Sequence, residues 1–392
     1  MMDAFPPSPE RQVRLGNWRL PPYNRWAFQH LREIVPTAEV AEDPERRWEL
    51  PRALADLRQL PFVSGGKERT LEAWLAESQC DGLVVLQQGA IVAEHYDNRL
   101  TPARPHVIFS VTKSVTALLV GILADRGLLD PDAAVTRYIP EAAGSGYGDA
   151  TVRHVLDMQV SLDFDEVYLA TEGAFIRYRE STGWNPVADP SKAPDLRGFL
   201  ASLGRRPGPH GERFRYLSPN SDLLGWVCER AAGEPYAELL SRHLWQPMGA
   251  ERAANLTVDR LGAPRSAGGL CVTLRDLARV GETLRCRGLA DGRQVVPGWW
   301  IDDILAKGDP AAWQGSEFEA MLPPGGRYRS QWYLTDARGS QCMAVGIHGQ
   351  WIWVDRDRGV TIAKLSSQPL PSTDGYDAVE QACFAAIAEA VG

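Results

Sequence analysis

Lysine is nearly missing from this sequence. Only Lys67, Lys113, Lys192, Lys307 and Lys364 occur among 42 basic residues, and no basic block interrupts the mixture of arginine, glutamate and aspartate. With a net charge of −8, that pattern excludes a nucleic-acid footprint. Long apolar runs are lacking too. The longest, Ala117 to Ala124, is far short of the ~18 residues of a membrane helix, so no membrane partner is expected. The six cysteines, at 80, 228, 271, 286, 342 and 383, form no C-x-x-C and have no histidine at ligand spacing. They signal neither a zinc site nor a disulfide frame and read as small reduced core residues. The opening residues carry charge and proline where a secretory signal has a basic start and an apolar run of about seven or more residues, so a cytoplasmic location is the expectation. A G-x-S-x-G elbow is absent, and His30, His95, His106, His154, His210 and His243 suggest no Ser-His-Asp triad, which removes an α/β-hydrolase from consideration.

Apolar residues make up 44% of the chain, ample for one large domain or two ordinary ones. The runs Leu83 to Leu86 and Ala90 to Ala93, on either side of Gln88-Gly89, predict a β-hairpin. Upstream, "NRWAFQHLREIV" places Trp26, Phe28, Leu31 and Ile34 at helical spacing. From Ser110 to about Leu244 the periodicity is mostly helical, punctuated by glycine and proline. Thr273, with Asp276 three residues on, predicts a capped helix. The β pattern then returns in "CMAVGIHGQWIWVDRDRGVTIAKLSS", turned at Asp357-Arg358-Gly359, before a helix over "YDAVEQACFAAIAEAV". Strands at both ends of a helical middle predict an α+β fold, with one antiparallel sheet flanked by helices and an inserted helical subdomain. The expected division is an α/β subdomain of residues 1–125 and 262–392 and a mainly helical one of 126–261, forming a single catalytic unit.

Against so few lysines, "FSVTKSVTALLVGIL" raises a question about Lys113. A lysine retained where arginine is the habit suggests that losing the proton matters, because arginine cannot serve as a base. Ser110 and Lys113 stand one helical turn apart at the start of an apolar helix, so their side chains share a face. A serine hydroxyl becomes a nucleophile when a desolvated lysine takes its proton. An N-capping serine followed by a lysine with its stem along the surface also fits this pair. A second S-x-x-K, Ser64 to Lys67, lies in a glycine loop with no apolar helix behind it and reads as chance.

Two further stretches narrow the reading. Tyr216 and Ser218 in "FRYLSPNSDLLGWVCER" directly precede an amphipathic helix, and Ile347, His348 and Gly349 lie on or beside a late strand. S-x-x-K, then Y-x-[NS] about a hundred residues on, then a [KH]-x-G-like element near the C-terminus resembles the penicillin-recognising serine hydrolases, in their class C β-lactamase-like branch. "GGLCVTLRDLARVG" and "LLSRHLWQPMGAE" are similar to other segments of that branch. Within it, "PPYNRWAFQHLREIVPT", "VLDMQVSLDFDEVY", "STGW", "RSQWYLTD" and "GIHGQWIWVD" resemble the 6-aminohexanoate-dimer hydrolases, nylon-oligomer amidases that also act as carboxylesterases.

That resemblance implies a β-lactamase/transpeptidase-like fold and roles for particular residues. Ser110 would be the nucleophile, Lys113 its base, Tyr216 the proton donor to the leaving group, and the N–H groups of Ser110 and Ile347 the oxyanion hole. Tyr168, Trp184 and Tyr333 would line the pocket, with Ser218 and His348 beside it. No metal or organic cofactor is implied; the partner is a small ester or amide, and a homodimer is left open. Two departures bear on substrate. His348 stands where a β-lactamase has lysine, which counts against antibiotic hydrolysis. Arg179 stands where efficient amidases of this kind hold the substrate ammonium with an acid, and Ala267 where a polar residue is expected. Esters are therefore expected to be better substrates than the linear amide dimer. A β-lactamase, a D-aminopeptidase or transpeptidase, and a non-catalytic binding module of the same fold are the alternatives. Each residue also has a plainer reading: Tyr216, Trp184 and Tyr333 as core aromatics, His348 as a structural histidine, and Asp165-Glu166 as a solvated loop.

Overall fold

The structure, a computed structural model, describes residues 1–392 apart from the side chain of Pro190. Seven strands build the main sheet: β1 (Cys80–Gln87), β2 (Ala90–Tyr96), β3 (Arg327–Arg329), β4 (Trp332–Leu334), β5 (Gln341–Gly346), β6 (Gln350–Asp355) and β7 (Val360–Ser366). Their order is β3-β4-β5-β6-β7-β1-β2, antiparallel throughout. The hairpin expected at Gln88-Gly89 is present. Both residues have positive φ, 48° and 82°, so the turn twists with its strands. Pairing Val360 with Gln87 joins the two chain ends into one sheet, and Gly359 at φ 70° closes the expected β6–β7 turn.

Five helices matter for the site: α1 (Val111–Asp125), α2 (Ala174–Ser181), α3 (Ser218–Ala232), α4 (Leu274–Arg285) and α5 (Tyr376–Val391). Alternation along β6 sends Ile352 and Val354 to one face of the sheet, where α4 covers them; Gly281 of α4 has no side chain because a Cβ would lie 2.7 Å from Ile352. Trp351 and Trp353 point the other way, onto Phe384 of α5. Thr273 caps α4 as the spacing predicted, accepting from the Asp276 N–H. Residues 111 to 123 of α1 are all buried, which explains a run too apolar for a surface helix. Gly121 lets Trp300 lie against its backbone, with the indole N–H donating to the Ala117 carbonyl at 3.0 Å.

A second sheet, ordered Thr37–Val40, Ala254–Thr257, Leu270–Val272, His106–Val107, steers the chain into α1. Among the described residues no helix is long and apolar enough to cross a membrane. All six cysteines are free thiols, five of them buried and Cys286 half-buried. The helix expected over "NRWAFQHLREIV" is broken into Asn24–Ala27 and a single 3₁₀ turn at Leu31–Glu33. Tertiary partners compete for the segment: the Phe28 carbonyl accepts from the Val107 N–H, and the buried Asn24 side-chain amide donates to the carbonyls of Ser367 and Gln368.

Candidate active site

Leaving the second sheet, the chain turns at Phe109, whose φ of 42° is a strained value for an aromatic residue. Packing holds it there: the buried ring lies parallel to Trp18 at 6.2 Å and edge-on to Phe28 at 4.9 Å. The turn presents Ser110 at the mouth of α1. Its side chain caps no backbone N–H, and the hydroxyl accepts a hydrogen bond from Lys113 Nζ at 2.8 Å. Lys113 is buried and donates again to the Ala267 carbonyl at 2.7 Å, so it is no snorkelling surface lysine. Burial pulls its pKa down to about 7 against the opposing pull of Glu166; Arg265 adds to the lowering and Asp222 resists it. The loop carrying Ala267 is anchored in turn. Asp222 accepts from the Ala267 N–H at 2.8 Å and from the Tyr178 hydroxyl at 2.5 Å, and it pairs with the Arg265 guanidinium.

Tyr216, immediately before α3, is buried beside this pair, with Lys113 Nζ 5.0 Å from its ring centre. Burial and then the charge of Glu166 raise the phenol's pKa, only partly offset by its hydrogen bond with Ser110. The phenol is therefore protonated at neutral pH. From the sheet side, the end of β5 passes over the start of α1. A Cβ on Gly346 would lie 2.6 Å from the Ile108 carbonyl oxygen and 3.2 Å from the Ser110 nitrogen, a close approach that requires glycine.

Two cavities meet at Ser110, Tyr168 and Ile347. One is mostly apolar, walled by Tyr216, Phe318, Met321, Tyr333, Val345 and Trp351, and is also lined by the acids Asp377 and Glu380. The other is lined by Arg19, Glu166, Arg179, Trp184, Ser218, Arg265 and Ala267. The structure thus gathers the expected residues Ser110, Lys113, Tyr168, Arg179, Trp184, Tyr216, Ser218, Ala267, Tyr333 and Ile347 around one serine. His348 is the exception. It sits in the β5–β6 turn at φ 63°, buried against Phe28 and Phe109, and its Nδ1–H donates to the Gln368 carbonyl at 2.7 Å. Burial lowers its pKa to about 4, so it is neutral, and it lines neither cavity. Ala267 contributes its backbone, since its N–H and carbonyl link Asp222 to Lys113.

Residues that sequence reading passed over include Glu166, Arg19, Asp222 and Arg265. Glu166, read as part of a solvated loop, instead accepts from both the N–H and the hydroxyl of Ser218 and faces the second cavity. Its neighbour Asp165 does stay exposed, paired with Arg206 and Arg215. Arg19 comes from the N-terminal segment, with no local signal. Ser64 and Lys67 flank the Gly65-Gly66 turn of a small two-stranded hairpin, with Lys67 exposed.

This architecture defines the class. The chain belongs to the Beta-lactamase family, whose model matches residues 68–386, and it has the β-lactamase/transpeptidase-like fold. It is 37% identical to the 6-aminohexanoate-dimer hydrolase of Paenarthrobacter ureafaciens over 389 residues, 99% of this chain and 96% of the relative. Esterase EstB of Burkholderia gladioli is 32% identical over 203 residues, 48% of each chain. A solved structure from Bacillus anthracis, provisionally named a 6-aminohexanoate-dimer hydrolase, superposes with a TM-score of 0.89 at 25% identity and 98% coverage of both chains. The protein is a hydrolase of this family.

Proposed function

We propose that the protein is a serine hydrolase that cleaves carboxylic esters and linear amides through an acyl-enzyme. The observation that carries this reading is the 2.8 Å contact between Ser110 and a buried lysine whose pKa lies near 7. Neutral Lys113 removes the hydroxyl proton as Ser110 Oγ bonds to the acyl carbon. The carbonyl oxygen takes the negative charge between the N–H groups of Ser110 and Ile347. Protonated Tyr216 then gives its proton to the departing alcohol or amine as the carbon–heteroatom bond breaks. Water attacks the acyl-enzyme, returning a proton to Tyr216, and Ser110 leaves with the proton held by Lys113. The crevice lies between the α/β subdomain (1–125, 262–392) and the helical one (126–261), and the enzyme acts in the cytoplasm. A neutral, buried His348 offers no cation to a β-lactam carboxylate, which disfavours antibiotic hydrolysis.

A fluorophosphonate probe read by intact mass separates this enzyme from a binding module of the same fold. One adduct is expected on the wild type and none on Ser110→Ala, with Ser64→Ala unaffected. Equal labelling of the Ser110→Ala variant would sink the assignment.

A further inference from the structure

Arg19 and Arg179 both line the cavity on the Trp184 side of Ser110, and among the described residues neither has a carboxylate within salt-bridge distance. Their partners are neutral. Arg19 donates to the Asn185 side-chain oxygen and packs over Trp18; Arg179 donates to the Tyr168 carbonyl at 2.7 Å and lies 4.4 Å from the Phe175 ring centre. Of the buried arginines, Arg265 pairs with Asp222 and Arg279 with Asp276, while Arg327 spends its donors on the carbonyls of Leu305, Lys307 and Ala337. Even Arg265 keeps a buried Nε without a hydrogen-bond partner. The one acid in the lining, Glu166, accepts from the N–H and hydroxyl of Ser218 and acts on Arg179 only from beyond salt-bridge distance. The wall therefore presents more positive charge and more unused N–H groups than the protein itself satisfies. Burial, with the like charges of Arg179 and Arg265 adding to it, lowers the Arg19 pKa to about 9.

We propose that this cavity binds a carboxylate at the far end of the substrate's acyl chain, making half-esters or half-amides of dicarboxylic acids the preferred substrates. The inference deepens the reaction proposed above and rests on it for its direction. Tyr216, the donor to the leaving group, faces the other cavity, which holds no arginine, and is absent from this one. The departing alcohol or amine therefore lies toward Tyr333 and Trp351, and the acyl chain runs toward the arginines. Guanidinium groups suit this task because their planar donors match a carboxylate's two oxygens. Hydrolysis adds water across the acyl bond and releases a dicarboxylic acid with the alcohol or amine.

The test compares mono-p-nitrophenyl adipate with its neutral counterpart, p-nitrophenyl methyl adipate. Wild-type kcat/KM should favour the acid by about tenfold or more, the scale of a charge-assisted hydrogen bond. Arg179→Gln and Arg19→Gln should each collapse that ratio, and Arg179→Lys should retain much of it. Calorimetry of adipate on Ser110→Ala, which needs no turnover, should show binding that is lost on adding Arg19→Gln. A ratio near one in an active wild type, with no adipate binding to Ser110→Ala, overturns the carboxylate pocket and leaves the hydrolase reading intact. Adipate binding without hydrolysis of either ester or fluorophosphonate labelling supports the pocket and overturns the hydrolase reading instead.

Discussion

Lys113 is one of five lysines in the chain, and its environment accounts for its being lysine. With its pKa lowered to about 7, the folded protein holds a useful fraction of free amine at neutral pH, whereas a lysine near 10.5 holds almost none. Because the neutral form is the base, kcat/KM for a p-nitrophenyl ester should be low in acid, rise through about pH 7 and level off above it. A profile flat across pH 6 to 8 would remove Lys113 from that role. Lys113→Arg keeps the charge but cannot accept the proton, so it should lose activity nearly as fully as Lys113→Ala. Tyr216→Phe deletes only a hydroxyl from a packed ring. Turnover should fall by about 10² to 10⁴-fold while the melting temperature hardly moves, and a normally active variant would show that the proton reaches the leaving group another way.

At the scale of elements, the site depends on how closely β5 can approach the start of α1. The apolar run after Ser110 announced the helix, and the β pattern on either side of Asp357-Arg358-Gly359 announced the late strands, because each pattern is local. That the end of one meets the start of the other was not legible. Gly346 marks the meeting only once the Ile108 carbonyl is known to lie where its Cβ would be. Gly346→Ala should push β5 away and displace Ile347. Loss of one oxyanion donor typically costs about 10² to 10³-fold in kcat, and a fall of that order is expected alongside a lower melting temperature. An alanine variant with full activity would place the oxyanion elsewhere. The failed helix at Asn24 is the converse case: helical spacing was present, but the Phe28 carbonyl that a longer helix would use internally accepts from Val107, and the Asn24 side chain is anchored to Ser367 and Gln368.

For the molecule as a whole, the N-terminal segment belongs to the site. Trp18 is fully buried, donates from its indole to the Trp184 carbonyl at 3.2 Å and lies against Phe109, holding the strained turn that presents Ser110. Trp18→Ala should cost about 3–5 kcal/mol by opening a large cavity, and should also reduce turnover as Phe109 relaxes. Lower stability with undiminished kcat would separate the turn from this packing. Sequence alone pointed to the α+β fold class and to the candidate nucleophile and base, because these ride on local patterns, a serine and a lysine one helical turn apart and apolar β runs at both ends of a helical middle; Tyr216 as the acid came from the resemblance of its motif to a family. Only the tertiary structure decided that His348 turns inward, that Glu166 is engaged with Ser218, and that Arg19, some 160 residues before Arg179, shares its cavity. Burial and charge pairing depend on which distant segments become neighbours, and no spacing along the chain encodes that.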